Sequence, residues 1–101
     1  MTELKPEIIA RIKLYTKEEG SARTQPLPQT FLHCPFVYKD HKYDCRLILD
    51  KFEGPIELGS CIEIPIKFFC PELIVHLLKP GDSFNLWDRG IFAEGTVTAI
   101  L

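Results

Sequence analysis

The side chains in this chain that are most capable of chemistry are its cysteines and histidines. Cys34, Cys45, Cys61 and Cys70 are the four cysteines, and His33 directly precedes the first of them. A histidine beside a cysteine suggests a general base and a nucleophile, but neighbours on a strand point to opposite faces. No third residue in sequence reach would orient the pair. We therefore predict no catalytic residues and a protein that is not an enzyme.

The spacing of the cysteines also differs from that of a metal site. Zinc ligands usually occur in close pairs such as CxxC, and the sequence contains no such pair. The sequence also has no GxxxxGKS phosphate loop, so it predicts no GTP binding. Cysteines without pairing motifs more often behave as small buried hydrophobic residues. We predict no metal and no cofactor.

Three residues in a loop-like stretch are candidates for contact with RNA. Lys17, Arg23 and Thr24 lie between residues 16 and 30, a segment rich in small polar residues, Gly and Pro. Side chains of these types contact phosphate backbones. Glu18 and Glu19 lie beside them and weaken the local positive field, so solvated loop charges are the competing interpretation.

Five other residues are candidates for binding a partner protein. Trp87 and Arg89 flank a predicted turn, and both residue types are enriched at binding hot spots, although Trp87 could instead pack against the core. Leu73, Val75 and Leu77 belong to residues 70–78, a stretch with more apolar side chains than one buried face needs. Either part of this stretch is exposed for a partner, or it is a crossover covered on both sides.

Length and composition indicate a single globular domain. The chain has 101 residues, 46% of them hydrophobic, which suffices for one core. We expect a flexible lead-in at residues 1–7 and one domain at residues 8–101. A formal charge of −2 gives no basic excess for non-specific RNA binding. No apolar run approaches the roughly 20 residues of a membrane helix, and residues 1–7 lack signal-peptide features, so we predict a cytoplasmic location without membrane contact.

Period-two alternation indicates that short strands position these side chains. In residues 8–15, Ile8, Ala10, Ile12 and Leu14 form one apolar face. Comparable patterns predict strands at residues 31–38, 43–50, 62–69, 84–87 and 91–101, and we favour an extended conformation for residues 70–78. Pro35 and Pro65 indicate an edge or a bulge within their strands.

Turns and inward residues refine this arrangement. Residues 40–42 and 88–90 are predicted turns, and residues 51–60 are predicted to be irregular. The last strand carries one predicted inward face that is rich in Ala and Gly: Ile91, Ala93, Gly95, Val97, Ala99 and Leu101. Small inward side chains suit a closely curved sheet, so the sequence predicts an all-β barrel.

The order of these motifs resembles the third, C-terminal β-barrel domain of the elongation factor Tu family. The likeness runs through residues 16–20 (TKEEG) with Arg23-Thr24 and Pro26, residues 33–36 (HCPF), and residues 84–97 with Arg89-Gly90 and AEGTV at 93–97. This resemblance implies a six-stranded closed antiparallel β-barrel. In that family the domain docks on a GTPase domain and contacts the acceptor and T arms of aminoacyl-tRNA.

The combined features favour a stand-alone, non-catalytic protein-interaction module. Its partner would be a protein whose identity the sequence does not specify. Two alternatives remain open at this point: a reduced translation-factor domain that binds RNA or tRNA, and an immunity protein that antagonises a toxin.

Overall fold

Six antiparallel strands form a closed barrel in the computed structural model, which describes residues 5–21, 25–28, 30–52, 54 and 56–101. Around the barrel the strands follow the order β1-β4-β3-β2-β5-β6, and β6 pairs back onto β1. The predicted six-stranded closed antiparallel barrel is therefore confirmed. The strands are β1 (Ile8–Leu14), β2 (Phe31–Tyr38), β3 (His41–Ile48), β4 (Cys61–Phe68), β5 (Ser83–Trp87) and β6 (Ile91–Ile100).

Alternation along the strands fills the barrel interior with apolar side chains. The four residues predicted to form the inner face of β1 are all fully buried. Across the interior, the Phe36 ring stacks on Phe84 with centroids 4.1 Å apart and meets Phe68 edge-on at 4.9 Å. The Phe84 ring also covers Gly95, where an added Cβ would lie 2.3 Å from Cζ of Phe84. The small residue on β6 therefore makes room for this ring.

Strand β6 departs from simple alternation because it carries two β-bulges. Its pairing shifts register once against β5 and once against β1, which leaves Phe92 and Thr98 as the extra residues. Phe92 is fully buried, whereas Ile91 and Ala99 are only partly buried and Leu101 is exposed. The prediction of one inward face over residues 91–101 was wrong at both ends, because each bulge reverses the alternation.

Each of the two strand prolines is paired with only one of its two neighbouring strands. β2 pairs with β3 at Pro35 but with β5 only at Phe36 and Val37. Likewise β4 pairs with β1 at Pro65, while its described pairing with β3 covers residues 66–68. Proline lacks a backbone N–H, so it fits a position without a second hydrogen-bonded neighbour. The prediction of an edge strand or a bulge at both prolines was wrong, because the barrel is closed and the pairing runs through each proline without a register shift.

The hairpin between β2 and β3 turns earlier than predicted. The turn consists of Lys39 and Asp40, with φ angles of 48° and 67°, and β3 begins at His41. Positive φ at both central residues is the hallmark of the tight two-residue turn that matches strand twist. The prediction of a turn at residues 40–42 and a strand at 43–50 was thus shifted by about two residues.

Residues 70–78 are not extended, and that prediction was wrong. They form two short 3-10 helices, Pro71–Leu73 and Val75–Leu77. Pro71 occupies the first helical turn, where its fixed φ is favourable and its missing N–H is not needed. The helical turns also place Ile74 and Leu78, four residues apart, against the core. We call residues 70–78 the connecting segment.

Candidate functional site

The predicted partner-binding residues lie at two separate ends of the barrel. Leu73, Val75 and Leu77 belong to the connecting segment, which joins the end of β4 to the beginning of β5. Trp87 ends β5, and Arg89 lies in the following turn before β6. Because β5 separates the two groups, the structure does not bring them together.

The connecting segment presents leucines to solvent from a buried base. Ile74 is fully buried and Leu78 is 7% exposed, while Val75 packs partly against the core. Leu73 and Leu77 are 57% and 47% exposed. The segment is therefore neither a fully covered crossover nor a loose loop. Each helical turn exposes one leucine and is followed by a buried residue, Ile74 or Leu78.

A hydrogen-bonded tyrosine and aspartate fix this segment to the barrel. The Tyr38 hydroxyl donates to Asp82 Oδ2 at 2.9 Å and lies 3.3 Å from the Leu77 carbonyl oxygen. The backbone N–H of Lys79 also donates to Asp82 Oδ2, at 3.1 Å. Partial burial raises the pKa of Asp82, but these hydrogen bonds outweigh it and hold the pKa below its ordinary value.

Trp87 lies on the outer wall and is covered by a cation. The Nζ of Lys42 lies 3.9 Å from the Trp87 ring centroid, a close cation–π contact. Arg89 is exposed, and its φ of 63° places it in the left-handed region within the hairpin turn. The outer face of Trp87 is thus already occupied, and Arg89 shapes the turn.

Lys17 lies in the turn that follows β1, at the same barrel end as Arg89. Lys17 is exposed, and Glu19 of the same turn pairs with Lys13 of β1 at 2.6 Å between Oε2 and Nζ. This hydrogen bond raises the pKa of Lys13 and lowers that of Glu19. The predicted RNA-contact residues Arg23 and Thr24 lie outside the described residues. The described part of this loop holds Lys17 against Glu18 and Glu19, so it has no excess of positive charge.

Sequence reasoning missed an outward cluster on β2, β3 and the end of β4. We call it the aromatic–arginine patch, and it consists of Phe31, His33, Arg46 and Phe69. The Arg46 Cζ lies 5.0 Å from the ring centroids of both Phe31 and Phe69. The His33 ring stacks on Phe69 at 4.5 Å with an interplanar angle of 15°. The two phenyl rings remain 45% and 46% exposed.

The guanidinium of Arg46 is short of hydrogen-bond acceptors. Its Nε is buried and has no hydrogen-bond partner within the described part of the chain. Lys67 lies directly opposite Arg46 on β4 and is engaged with Glu7, at 2.6 Å between Nζ and Oε2. The carboxylate of Asp44 lies 3.7 Å from His33 Nε2. The described acidic groups near the patch thus contact residues other than Arg46.

The cysteines divide into a buried pair and two exposed residues. Cys34 and Cys45 face each other on β2 and β3, and the thiol of Cys45 donates to the Cys34 carbonyl oxygen at 3.2 Å. Its hydrogen bonding to Cys34 and its burial raise the pKa of the Cys45 thiol well above the ordinary value. His33 is exposed whereas Cys34 is buried, which confirms that this adjacent pair points to opposite faces. Cys61 and Cys70 are exposed.

The described residues form no metal-binding cluster, and the barrel wall carries a groove of mixed charge. No group of three or more His, Cys, Asp or Glu side chains in the described ranges is placed to hold a metal ion. A groove of 400 Å³ on the outer wall carries both signs of charge; its lining includes Arg11, Lys13, Asn85, Glu94 and Thr96. Its mixed charge does not select one class of ligand.

Comparison with known protein families and with curated proteins identifies no relative of this chain, because no family model and no curated protein matches it. Within the described residues, no helix has the length and apolar character needed to span a bilayer. The barrel architecture is established by the strand pairing, whereas kinship with the elongation factor Tu domain stays a prediction.

Proposed function

We propose that this barrel is a non-catalytic protein-interaction module whose docking surface is the outer side of the connecting segment. One observation carries the proposal: Leu73 and Leu77 are both exposed on a segment whose intervening Ile74 is fully buried. Phe69, immediately before the segment, is 46% exposed. A run of large apolar side chains held in water is typical of a surface that another protein covers.

The burial available from this surface is enough to matter for binding. Fully burying a leucine or phenylalanine side chain contributes about 1.5–3 kcal/mol. Leu73 and Leu77 have lost only part of their accessible area in the free protein. Their further burial by a partner would therefore favour association by an amount comparable with that of a binding hot spot.

Order in the connecting segment supports the same proposal. The Tyr38 hydroxyl contacts the Leu77 carbonyl oxygen and Asp82. Asp82 also accepts from the backbone N–H of Lys79, just after the segment. A surface that is already fixed loses little conformational entropy when a partner binds, so more of the burial energy appears as affinity. The hydrogen bonds thus prepare the leucines for docking.

The resemblance to the elongation factor Tu family agrees with a docking role in the cytoplasm. In that family the third domain docks on a GTPase domain, so a barrel of this kind without a phosphate loop would have a surface available for another protein. Trp87 and Arg89 lie at the opposite end of β5 and are left out of the proposed surface. A toxin is one class of protein that such a module could bind.

Affinity capture with charge-reversing variants tests the proposal. Tagged wild-type protein and a Leu77→Asp variant are incubated with lysate of the native host, and bound proteins are quantified by mass spectrometry. Thr96→Asp is the matched control, because it adds the same charge to an exposed position on β6. We expect a protein that wild type and the control retain and that Leu77→Asp loses at least tenfold.

Two results would contradict this function. One is a set of captured proteins that is identical for wild type and Leu77→Asp. The other is captured material that is RNA, sensitive to ribonuclease and released steeply as salt rises. The second result would favour the reduced translation-factor domain instead.

A further inference from the structure

We propose that the aromatic–arginine patch recognises an acidic side chain, an aspartate or glutamate on the surface of a partner protein. In this site Arg46 binds the carboxylate, and Phe31 and Phe69 surround it. The inference rests on the proposed function in that its ligand belongs to a protein. Apart from Phe69, which borders the connecting segment, it uses residues that the docking surface does not include.

Arg46 is held in place before any ligand arrives. Its guanidinium carbon lies 5.0 Å from the centroids of both exposed phenyl rings. His33, its cross-strand partner, stacks on Phe69 and so braces one of these rings. A planar guanidinium fixed by aromatic rings loses little freedom when it forms hydrogen bonds, which is why arginine suits bidentate sites.

The donors of Arg46 select an anionic group. Arginine carries five N–H donors and accepts no hydrogen bonds, and the buried Nε has no partner in the described part of the protein. Leaving a buried donor unpaired costs about 1–3 kcal/mol. A carboxylate can accept from two nitrogens of a guanidinium at once, which pairs its charge and adds hydrogen bonds to a group whose Nε has none among the described residues.

Among the described charged residues around the patch, Arg46 is the cation without an acidic partner. Lys67 is paired with Glu7 at 2.6 Å, and Asp44 contacts His33. Phe31 and Phe69 form an apolar rim that would exclude water from the bound carboxylate, as the outer residues of a hot spot do. Exclusion of water strengthens the charged hydrogen bond, because the local dielectric falls.

A nucleic acid fits the patch less well than a protein carboxylate. Stacking of bases needs free aromatic faces, whereas Phe69 already has His33 on its face and Arg46 lies over both phenyl rings. The formal net charge of −2 also provides no general attraction for a phosphate backbone. An oligonucleotide is therefore an arm of the test and not the proposed ligand.

Arginine side-chain NMR tests the site directly. In the ¹⁵N-labelled full chain, the Nε–Hε signal of Arg46 is followed during titration with acetyl-leucyl-glutamyl-leucinamide, and then with the same peptide containing glutamine. We expect a saturable shift with the glutamate peptide at millimolar concentrations and a shift at least tenfold smaller with the glutamine peptide. Oligouridylate is the third probe, and we expect it to bind no more tightly than the acidic peptide.

Variants assign the response to the proposed residues. Arg46→Lys keeps the positive charge but loses the forked set of donors. Because this variant has no Nε–Hε signal at position 46, the backbone amide signals of His33 and Phe69 are followed instead. We expect them to shift saturably with the glutamate peptide in wild type and not in the variant. Arg11→Lys is the matched control, since Arg11 is an exposed arginine on the outer wall of β1. It should leave peptide binding unchanged.

The outcomes separate this inference from the proposed function. An unmoved Arg46 signal, equal shifts with both peptides, or oligouridylate binding more than tenfold tighter would each overturn the inference. If that happens while Leu77→Asp still abolishes protein capture, the proposed docking surface stands. If the glutamate peptide shifts Arg46 selectively while protein capture is insensitive to Leu77→Asp, carboxylate recognition stands and the docking surface on the connecting segment is wrong.

Discussion

Replacing Gly95 by alanine should destabilise the barrel, although alanine normally favours ordered structure. Gly95 does not have a positive φ, so its backbone is one that alanine adopts readily. In such a position the change usually stabilises a protein by about 0.4–1 kcal/mol, because it restricts the unfolded chain. The sign of the change in unfolding free energy therefore shows which contribution is larger: crowding around the added methyl group, or the restriction of the unfolded chain.

The contacts of the added methyl group set the expected magnitude. The new Cβ would lie 2.3, 2.6 and 2.9 Å from three ring atoms of Phe84. The ring is backed by Phe36 at 4.1 Å between centroids, and Phe36 is backed in turn by Phe68 at 4.9 Å. Forcing a methyl group into such packing costs about 1–3 kcal/mol. For a domain of this size, each kcal/mol lowers the melting temperature by about 4–8 °C.

Urea unfolding followed by the fluorescence of Trp87, the single tryptophan, measures this free energy. Thr96→Ala is the control, because it alters an exposed position on the same strand. In a Phe84→Leu background the alanine should cost at least 1 kcal/mol less, because the clashing ring is gone (about 0.5–3 kcal/mol is typical for coupled neighbours). The reasoning is refuted if Gly95→Ala is neutral or stabilising, or if its cost is the same in both backgrounds.

Three further results are expected. Tyr38→Phe should cost about 1–2 kcal/mol and speed amide exchange at Leu78, because the connecting segment loses its hydrogen bond to the barrel; exchange unchanged by the substitution would contradict this. Asp82 contributes stability above its ordinary pKa that is lost as pH falls through its lowered folded pKa, so wild type should lose more stability than Asp82→Asn between about pH 5 and about pH 2 in urea titrations. A thiol reagent at neutral pH should rapidly modify the exposed Cys61 and Cys70. It should modify the buried Cys34 and Cys45 only on unfolding, and rapid reaction of all four would disprove their burial.

The sequence predicted those parts of the barrel whose pattern is local. The period of two in β1 is visible in the chain itself, and its inward residues Ile8 to Leu14 are buried as expected. At Pro35 the restricted pairing, although not its form, could also be foreseen, because a missing N–H restricts any strand in the same way. In both cases a short stretch contains all the information that decides its structure.

Features that depend on neighbouring strands could not be predicted in the same way. The reversal of alternation at Phe92 arises from a register shift against β5, which the sequence of β6 does not reveal. The connecting segment has nine residues and no resolvable period, and its helical turns are fixed partly by Tyr38, which lies 39 residues before Leu77. Contacts with residues distant in the sequence therefore determine both the bulge at Phe92 and the conformation of the connecting segment.

The aromatic–arginine patch was missed for a similar reason. Its residues come from three strands or their ends, and their meeting requires the register that pairs His33 with Arg46 and Arg46 with Lys67. Phe31 and His33 are two residues apart on β2 and are both exposed, so an aromatic residue at the alternate outward position was the signal that could have indicated the patch. The candidate leucines of the connecting segment were found from composition alone, because an excess of apolar residues does not depend on register.

Photo-crosslinking in cells of the native host tests most directly the proposal that the outer side of the connecting segment docks onto a protein. Leu77 is replaced by p-benzoylphenylalanine in one variant, and Thr96 is replaced in the control. We expect a discrete protein adduct from position 77 that excess wild-type protein suppresses, and no such adduct from position 96. Absence of a protein adduct at position 77, or the same adducts from both positions, would contradict the claim.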